Sequence, residues 1–384
     1  MTHSSVGPTQ ARQSRTTSTL PVGAGGHSIR LVDLDAGARF LTEDEYGAWT
    51  ELVANSPSGS IYSTPEYLDV LCSAAGGRFR ILGYGRGGEL TGGIALYETD
   101  TFWGRRCGGR LLLYYNGIVE KPHVSKYPSE QTSRHNELMT GIEAAIAACG
   151  FGRVQLRNRH PITDARVFLS RGWRVSPSYS YEVALRDSGA AWERVEQNLR
   201  RLIRRAERAG IQVTQDDDFD SFFRLHEQTH VRKKISLYLP RPAFELYFQR
   251  LRSQKLCWLF HARLPDGRVI SSQLVLGGPH RVSHTVAAAA DPDYLQTGAT
   301  PLLRWKAFDH LSRLGYEAND LTDAELNPVT HFKSQLGGEL KTNLVLTRPD
   351  SLRFKVHNVF QRTNASARRG IKTFLKPVLD RLGR

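Results

Sequence analysis

The same order of elements occurs twice in this chain, about 165 residues apart, and that repetition limits what it can fold into. In the first copy Leu138, Met139, Ile142, Ala145, Ile146 and Cys149 follow a helical period, and Gly150 supplies a helix stop. A short strand, Val154-Gln155-Leu156, comes next, then the polar loop Arg157–Pro161, the segment Phe168–Trp173 and a strand over Tyr179–Leu185. In the second copy Pro301 opens a helix carrying Leu302, Leu303, Phe308, Leu311 and Leu314, which Gly315-Tyr316 ends. Ala318–Leu321 reads as a strand. A polar loop ending in Asn327-Pro328 leads to Phe332–Gly338 and the strand Thr342–Thr347. Strands also precede each helix: Phe79–Gly83, Leu90–Tyr97 and Arg110–Tyr115 in one copy, Leu256–Arg263, Val269–Leu276 and Val282–Ala288 in the other. Gly85–Gly88 and Asp266-Gly267 carry hairpin-turn chemistry. A chain of 384 residues has room for two such units. The expected fold is α/β (α+β), two tandem domains of one kind, each a mixed, largely antiparallel sheet flanked by helices. Their expected limits are 28–178 and 179–347, between a Ser/Thr/Gly/Pro-rich, disordered tail over 1–27 and a basic tail over 348–384.

Composition narrows the setting. The chain is 40% hydrophobic and 23% charged, the balance of a globular protein. No run approaches the roughly 18 apolar residues of a membrane span, and residues 1–27 lack the apolar core of a signal peptide. Cys72, Cys107, Cys149 and Cys257 are far apart, with no Cys-x-x-Cys or Cys/His cluster, so neither a metal site nor a disulfide framework is expected. These features point to the cytoplasm. The net charge is +14, of which residues 192–210 supply +3 and residues 348–384 supply +8. Charge concentrated in two places suggests contact with something anionic: cofactor phosphates, tRNA, a nucleotide-linked substrate or a membrane surface. A solvated basic face is the alternative in each case.

Further residues carry a family resemblance. Asn198–Ile211 (NLRRLIRRAERAGI), Thr229–Pro240 (THVRKKISLYLP), Asp320-Leu-Thr-Asp323, and Phe332-Lys333 with Leu336-Gly337-Gly338 together resemble the FemAB/CelD-like acyltransferase family of the GNAT superfamily. The N-terminal half matches more weakly, through Ile61–Tyr67 and Tyr114-Tyr115-Asn116-Gly117. The resemblance implies two tandem GNAT-like domains that transfer an acyl or aminoacyl group to an amine. It implies acyl-CoA as donor, or aminoacyl-tRNA in enzymes that build peptidoglycan bridges.

Candidate sites follow from the residues and from that resemblance. The loop before Pro301 leads into a helix N-terminus, whose free N–H groups suit a phosphate. Related acyltransferases hold the CoA pyrophosphate there, which singles out Gln296, Thr297, Gly298, Ala299 and Thr300; the pattern lacks a second glycine, and a plain loop capped by Thr300 is the alternative. A helix over Trp192–Gly210 puts an apolar arc opposite six arginines, among which Arg201, Arg204 and Arg205 are candidate substrate contacts. Lys233, Tyr115 and Lys333 are further candidates. Amine attack on an ester or thioester needs a base, an oxyanion site and alignment. Asp320, Asp323, Glu325 and His331 gather at a strand exit as candidate bases, with His284 as an alternative, and backbone N–H groups of Val282–Ala288 suit the oxyanion. No Gly-x-Ser-x-Gly elbow exists, so direct transfer is favoured over an acyl-enzyme. In the tail, Ile371, Phe374, Leu375, Val378, Leu379 and Leu382 form an apolar stripe broken by Pro377, fit either for peripheral contact at the inner face of the membrane or for packing on the body. The expected activity is acyl transfer from acyl-CoA to an amino sugar, peptide or envelope precursor. Its rivals are an aminoacyl-tRNA-dependent peptide-bond former and a non-catalytic, membrane-associated binding factor.

Overall fold

The computed structural model describes residues 37–109, 112–326 and 328–359. The tail expected over 1–27 and the apolar stripe from Ile371 to Leu382 lie outside them.

The first half runs β1 (Gly37–Phe40), α1 (Tyr46–Asn55), α2 (Pro65–Ala75), β2 (Arg78–Arg86), β3 (Glu89–Thr101), β4 (Gly104–Cys107) and β5 (Ile118–Glu120). It continues with α3 (Pro128–Ala148), β6 (Arg153–Arg157), α4 (Arg166–Ser170) and β7 (Arg174–Ala184). The second half opens with α5 (Ser188–Arg194), α6 (Gln197–Arg208), β8 (Gln212–Gln215), α7 (Phe219–Lys233) and α8 (Arg241–Ser253). It closes with β9 (Cys257–Arg263), β10 (Val269–Leu276), β11 (Val282–Ala290), α9 (Ala299–Arg313), β12 (Ala318–Asp320), α10 (Pro328–Gln335) and β13 (Glu339–Thr347). The repetition in sequence is a repetition in structure: α3-β6-α4-β7 is followed by α9-β12-α10-β13.

The strands form one sheet in the order β1-β2-β3-β4-β6-β13-β7-β12-β11-β10-β9-β8, with β5 on β3. The two closing strands are exchanged. β13 lies beside β6 of the first half, and β7 lies beside β12 of the second. Between them, β7 and β13 pair antiparallel over Arg174–Glu182 and Glu339–Thr347. The strand β7 therefore runs unbroken through residues 178 and 179. The core is equally continuous across the halves: Tyr62, Tyr67 and Leu71 share one apolar cluster with Phe244, Tyr247 and Leu259. Two further clusters lie under α3 and under α6 and α9.

Three local expectations differ from what forms. Of the strand expected over Arg110–Tyr115, the described part, Leu112–Tyr115, is not a strand: Leu112 sits at φ 71°, outside extended backbone, and its carbonyl accepts from the Tyr67 hydroxyl. The helix expected over Trp192–Gly210 is two, because Val195 and Glu196 leave helical geometry and the Glu196 amide donates to the Gln335 carbonyl. The strand expected from Tyr179 begins at Arg174 and includes Pro177. Proline is tolerated there because only β13 pairs with β7 over that stretch. The start of the basic tail packs on the body: residues 352–359 are helical, and Phe354 is buried with the Arg153 guanidinium over its ring. No helix among the described residues is long and apolar enough to cross a membrane.

Candidate active site

β11 and β12 pair in parallel over Val282–His284 and Ala318–Asp320, and then part. β12 stops while β11 runs on to Ala290. Just past the parting, the β10 partner steps from Ala287 to Thr285, which leaves Val286 as an extra residue and makes a β-bulge in β11. Crevices of this kind, at the carboxyl ends of diverging parallel strands, are where ligands bind in α/β sheets.

The chain leaves β12 through a strained turn. Thr322 (φ 51°) and Asp323 (φ 26°) are consecutive non-glycine residues with positive φ, a conformation that costs roughly 1–2 kcal/mol per residue. Two groups hold it. Asp320 Oδ1 accepts from the Thr322 amide at 2.6 Å, and the Lys333 ammonium on α10 donates to the carbonyls of Thr322 (2.7 Å) and Asp323. Thr322 Oγ1 donates to the Thr285 carbonyl at 3.1 Å, tying the turn to β11 beside the bulge. Burial first, then the nearby Arg304 charge, brings Lys333 down to about 8.

Beneath the turn is a buried polar cluster to which both halves contribute. The Tyr115 hydroxyl donates to Asp320 Oδ2 at 2.7 Å and lies 3.1 Å from Ser180 Oγ. His284 is fully buried, 3.8 Å from Asp320 Oδ2, with neither ring nitrogen hydrogen-bonded, and its ring packs against Tyr62 and Tyr115. Burial, then the Arg159 and His280 charges, keeps the His284 ring neutral. Burial also raises Asp320, against the lowering pull of the Tyr115 hydrogen bond. Arg159, itself buried, donates to the Pro57 and Gly59 carbonyls and to Glu182 Oε2 at 3.0 Å. Burial opposes ionisation of Glu182, but His160 and Arg159 outweigh it and hold the carboxyl at about 2.

The candidate catalytic and substrate-binding residues therefore occupy four places. Asp320, His284 and Tyr115 come together inside the protein. Asp323 and Lys333 meet at the turn above them; Asp323 is exposed, and its charge acts on Tyr114, Tyr238 and Lys333. Glu325, His331 and Lys233 are exposed around the rim. Arg201, Arg204 and Arg205 lie on the solvent side of α6, Arg204 over the Trp192 ring and Arg205 donating to the Gln296 carbonyl.

The loop before α9 offers a phosphate little backbone. Gly298 and Ala299 are buried. The Ala299 amide donates to Thr297 Oγ1 at 3.2 Å, Leu302 donates to the Gly298 carbonyl, and Pro301 has no N–H. A Cβ on Gly298 would lie 2.4 Å from the Leu202 carbonyl, so α6 closes this side of the loop. The arginines of α6 stand beside this loop as further donors for a phosphate, Arg205 reaching the Gln296 carbonyl.

Residues 193–334 match the family model for an acetyltransferase (GNAT) domain. The matched residues lie in the C-terminal half, which resembles a GNAT acetyltransferase domain. The limits of the match enclose the bulged strand, α9, the strained turn and Lys333. The structure as a whole is similar to that of FemX, with 12% identity, 84% of this chain and 99% of FemX covered, and a TM-score of 0.65. It is also similar to the C-terminal domain of a putative lysylphosphatidylglycerol synthetase from Agrobacterium fabrum (12% identity, 79% and 93% covered, TM-score 0.52). A third similar structure is a conserved protein of unknown function from Bacteroides thetaiotaomicron (8% identity, 81% and 98% covered, TM-score 0.51). At these identities the likeness is one of fold, and it extends over both halves. No curated protein matches the sequence.

Residues that the sequence did not name as site candidates complete the crevice. Tyr62, Arg159 and Glu182 build its floor from the first half and from β7, and Tyr114 and Tyr238 flank Asp323. The buried Arg304 had one signal, a cation on the apolar stripe of α9.

Proposed function

We propose that the protein moves an acyl group from an acyl-CoA donor to the amine of an amino sugar, peptide or cell-envelope precursor, by direct attack in the crevice where β11 and β12 part. The observation that carries this reading is the Lys333 ammonium, partly buried and fixed by two carbonyls beside the β11 bulge. A pre-oriented cation and a ladder-free amide are the groups that stabilise a tetrahedral oxyanion in a water-poor site. The neutral attacking amine forms the new C–N bond, the thioester C–S bond breaks with its electron pair leaving on sulfur as the CoA thiolate, and the proton shed by the amine nitrogen passes to the Asp323 carboxylate at the mouth. Asp320 is a positioning residue in this scheme: its carboxylate is already occupied by Tyr115 and the Thr322 amide. Donor phosphates would rest on Arg201 and Arg205 rather than on loop amides.

The test is acyl transfer and thermal stability of the full chain with acetyl-CoA, longer acyl-CoAs, free CoA and mixed aminoacyl-tRNA in parallel. A ligand at 100 times its dissociation constant stabilises the folded state by about 2.7 kcal/mol, a readable shift in midpoint. A shift with one acyl-CoA class, together with turnover, supports the proposal. A shift with aminoacyl-tRNA alone, fading as salt rises, replaces the donor. Silence from every donor removes the catalytic reading.

A further inference from the structure

On the face of the second half covered by α9, Arg304 interrupts a surface of Leu302, Leu303, Ala307, Phe308 and Leu311. Its side chain is buried (7% exposed), its Nη1 has no hydrogen-bond partner, and no carboxylate pairs with it among the described residues. Gln273 of β10 is wholly buried, and both atoms of its amide lack partners.

Topology places these two side chains on facing surfaces of α9 and β10. β11 and β12 are parallel and α9 connects them, so α9 runs against β11 and in the same direction as the antiparallel β10. Ser271 Oγ lies 3.2 Å from Thr300 Oγ1, which sets the register of helix on strand. One helical turn beyond Thr300, about 5–6 Å, is Arg304. Two strand residues beyond Ser271, about 7 Å and on the same face, is Gln273. The Arg304 charge is also felt at the Lys333 ammonium of the turn, where it is the largest influence after burial. A guanidinium without a counter-ion in an apolar interior is among the costliest arrangements a fold can hold. An amide unsatisfied at both ends adds to the cost.

We infer that Arg304, Gln273 and Lys333 form a binding site for an anionic oxygen group, a carboxylate or a phosphate, carried by one of the two substrates. The planar guanidinium suits two parallel hydrogen bonds to such a group, and the Gln273 amide supplies a third donor. Burial alone lowers Arg304 to about 10, and an anion in the site would reverse that shift. The assignment of the anion to a substrate rests on the acyl-transfer proposal; the anion site itself does not.

The experiment measures the unfolding midpoint of the full chain with succinate, inorganic phosphate or chloride at matched ionic strength, for wild type, Arg304→Met and Gln273→Leu. Wild type is expected to rise with succinate or with phosphate, whichever source fits, and not with chloride. Arg304→Met is expected to raise the midpoint without ligand, because the unpaired charge is gone, and to abolish the response. Gln273→Leu is expected to weaken binding about tenfold. Three results overturn the site: a wild type indifferent to both anions, a response that persists in Arg304→Met, or, should that variant not fold, an undiminished response in Gln273→Leu. Because binding is read without turnover, an anion response in a protein that transfers from no donor would keep the site and remove only the substrate assignment.

Discussion

Lys333 is held by two backbone carbonyls and by no carboxylate among its hydrogen-bond partners, so its charge stays available to a substrate. Burial and Arg304 place its pKa at about 8, below the ordinary lysine value. The sign of the pH effect follows. The ammonium form predominates below about 8 and is lost as pH rises through that value, so the transfer rate should fall on the alkaline side. Lys333→Met should lower kcat about 10²- to 10³-fold with little change in KM, the loss typical of one oxyanion donor. Lys333→Arg should move the alkaline limb out of range. A kcat–pH profile of the three proteins checks this, and an unchanged rate in Lys333→Met would assign the lysine to turn stability alone. Residue types at this site were legible in the sequence: Asp320, Asp323, His284 and Lys333 all lie at or beneath the crevice. Their division of labour was not. Nothing in Asp320-Leu-Thr-Asp323 reveals that one carboxylate is spent on Tyr115 and a backbone amide while the next is exposed, because that depends on a tyrosine 205 positions away in the chain.

Among the elements, α9 was visible from its apolar period and from Pro301. The close approach of α6 to its N-terminus was not visible in the sequence. Gly298 has φ 84° and would place a Cβ 2.4 Å from the Leu202 carbonyl of α6. Gly267 has a similar φ of 87° but open space around it. Gly267→Ala should therefore cost only the left-handed strain, about 1 kcal/mol. Gly298→Ala should cost about 2 kcal/mol or more, because α6 must also shift from α9. Denaturant midpoints of the two variants make the comparison, and equal losses would mean that α6 yields freely. Other boundaries escaped the sequence for similar reasons. Pro177 reads as a strand breaker until its strand is seen to have one paired edge there. The break at Val195-Glu196 is imposed by the Gln335 carbonyl, which no local preference announces.

At the scale of the whole molecule, two copies of one pattern were legible and their exchange of closing strands was not, since β7 and β13 are equivalent in the sequence and interchangeable by hydrophobic pattern. The exchange and the shared core of Tyr62, Tyr67, Phe244 and Tyr247 make each half depend on the other. Scanning calorimetry should show one transition, with calorimetric and van't Hoff enthalpies equal. Two resolved transitions would mean that the halves fold separately. In the proposed reaction the same exchange would govern how substrates are chosen. Jaws that open on a hinge need a boundary free to part, and here that boundary is a ladder running from Arg174 to Glu182. The distance between the floor given by the first half and the bulged strand of the second is thus a fixed gauge. In the proposed reaction an acceptor would be admitted by whether it fits that gauge, with adjustment left to the loops at the rim, and widening the range of acceptors would call for trimming side chains rather than loosening a joint.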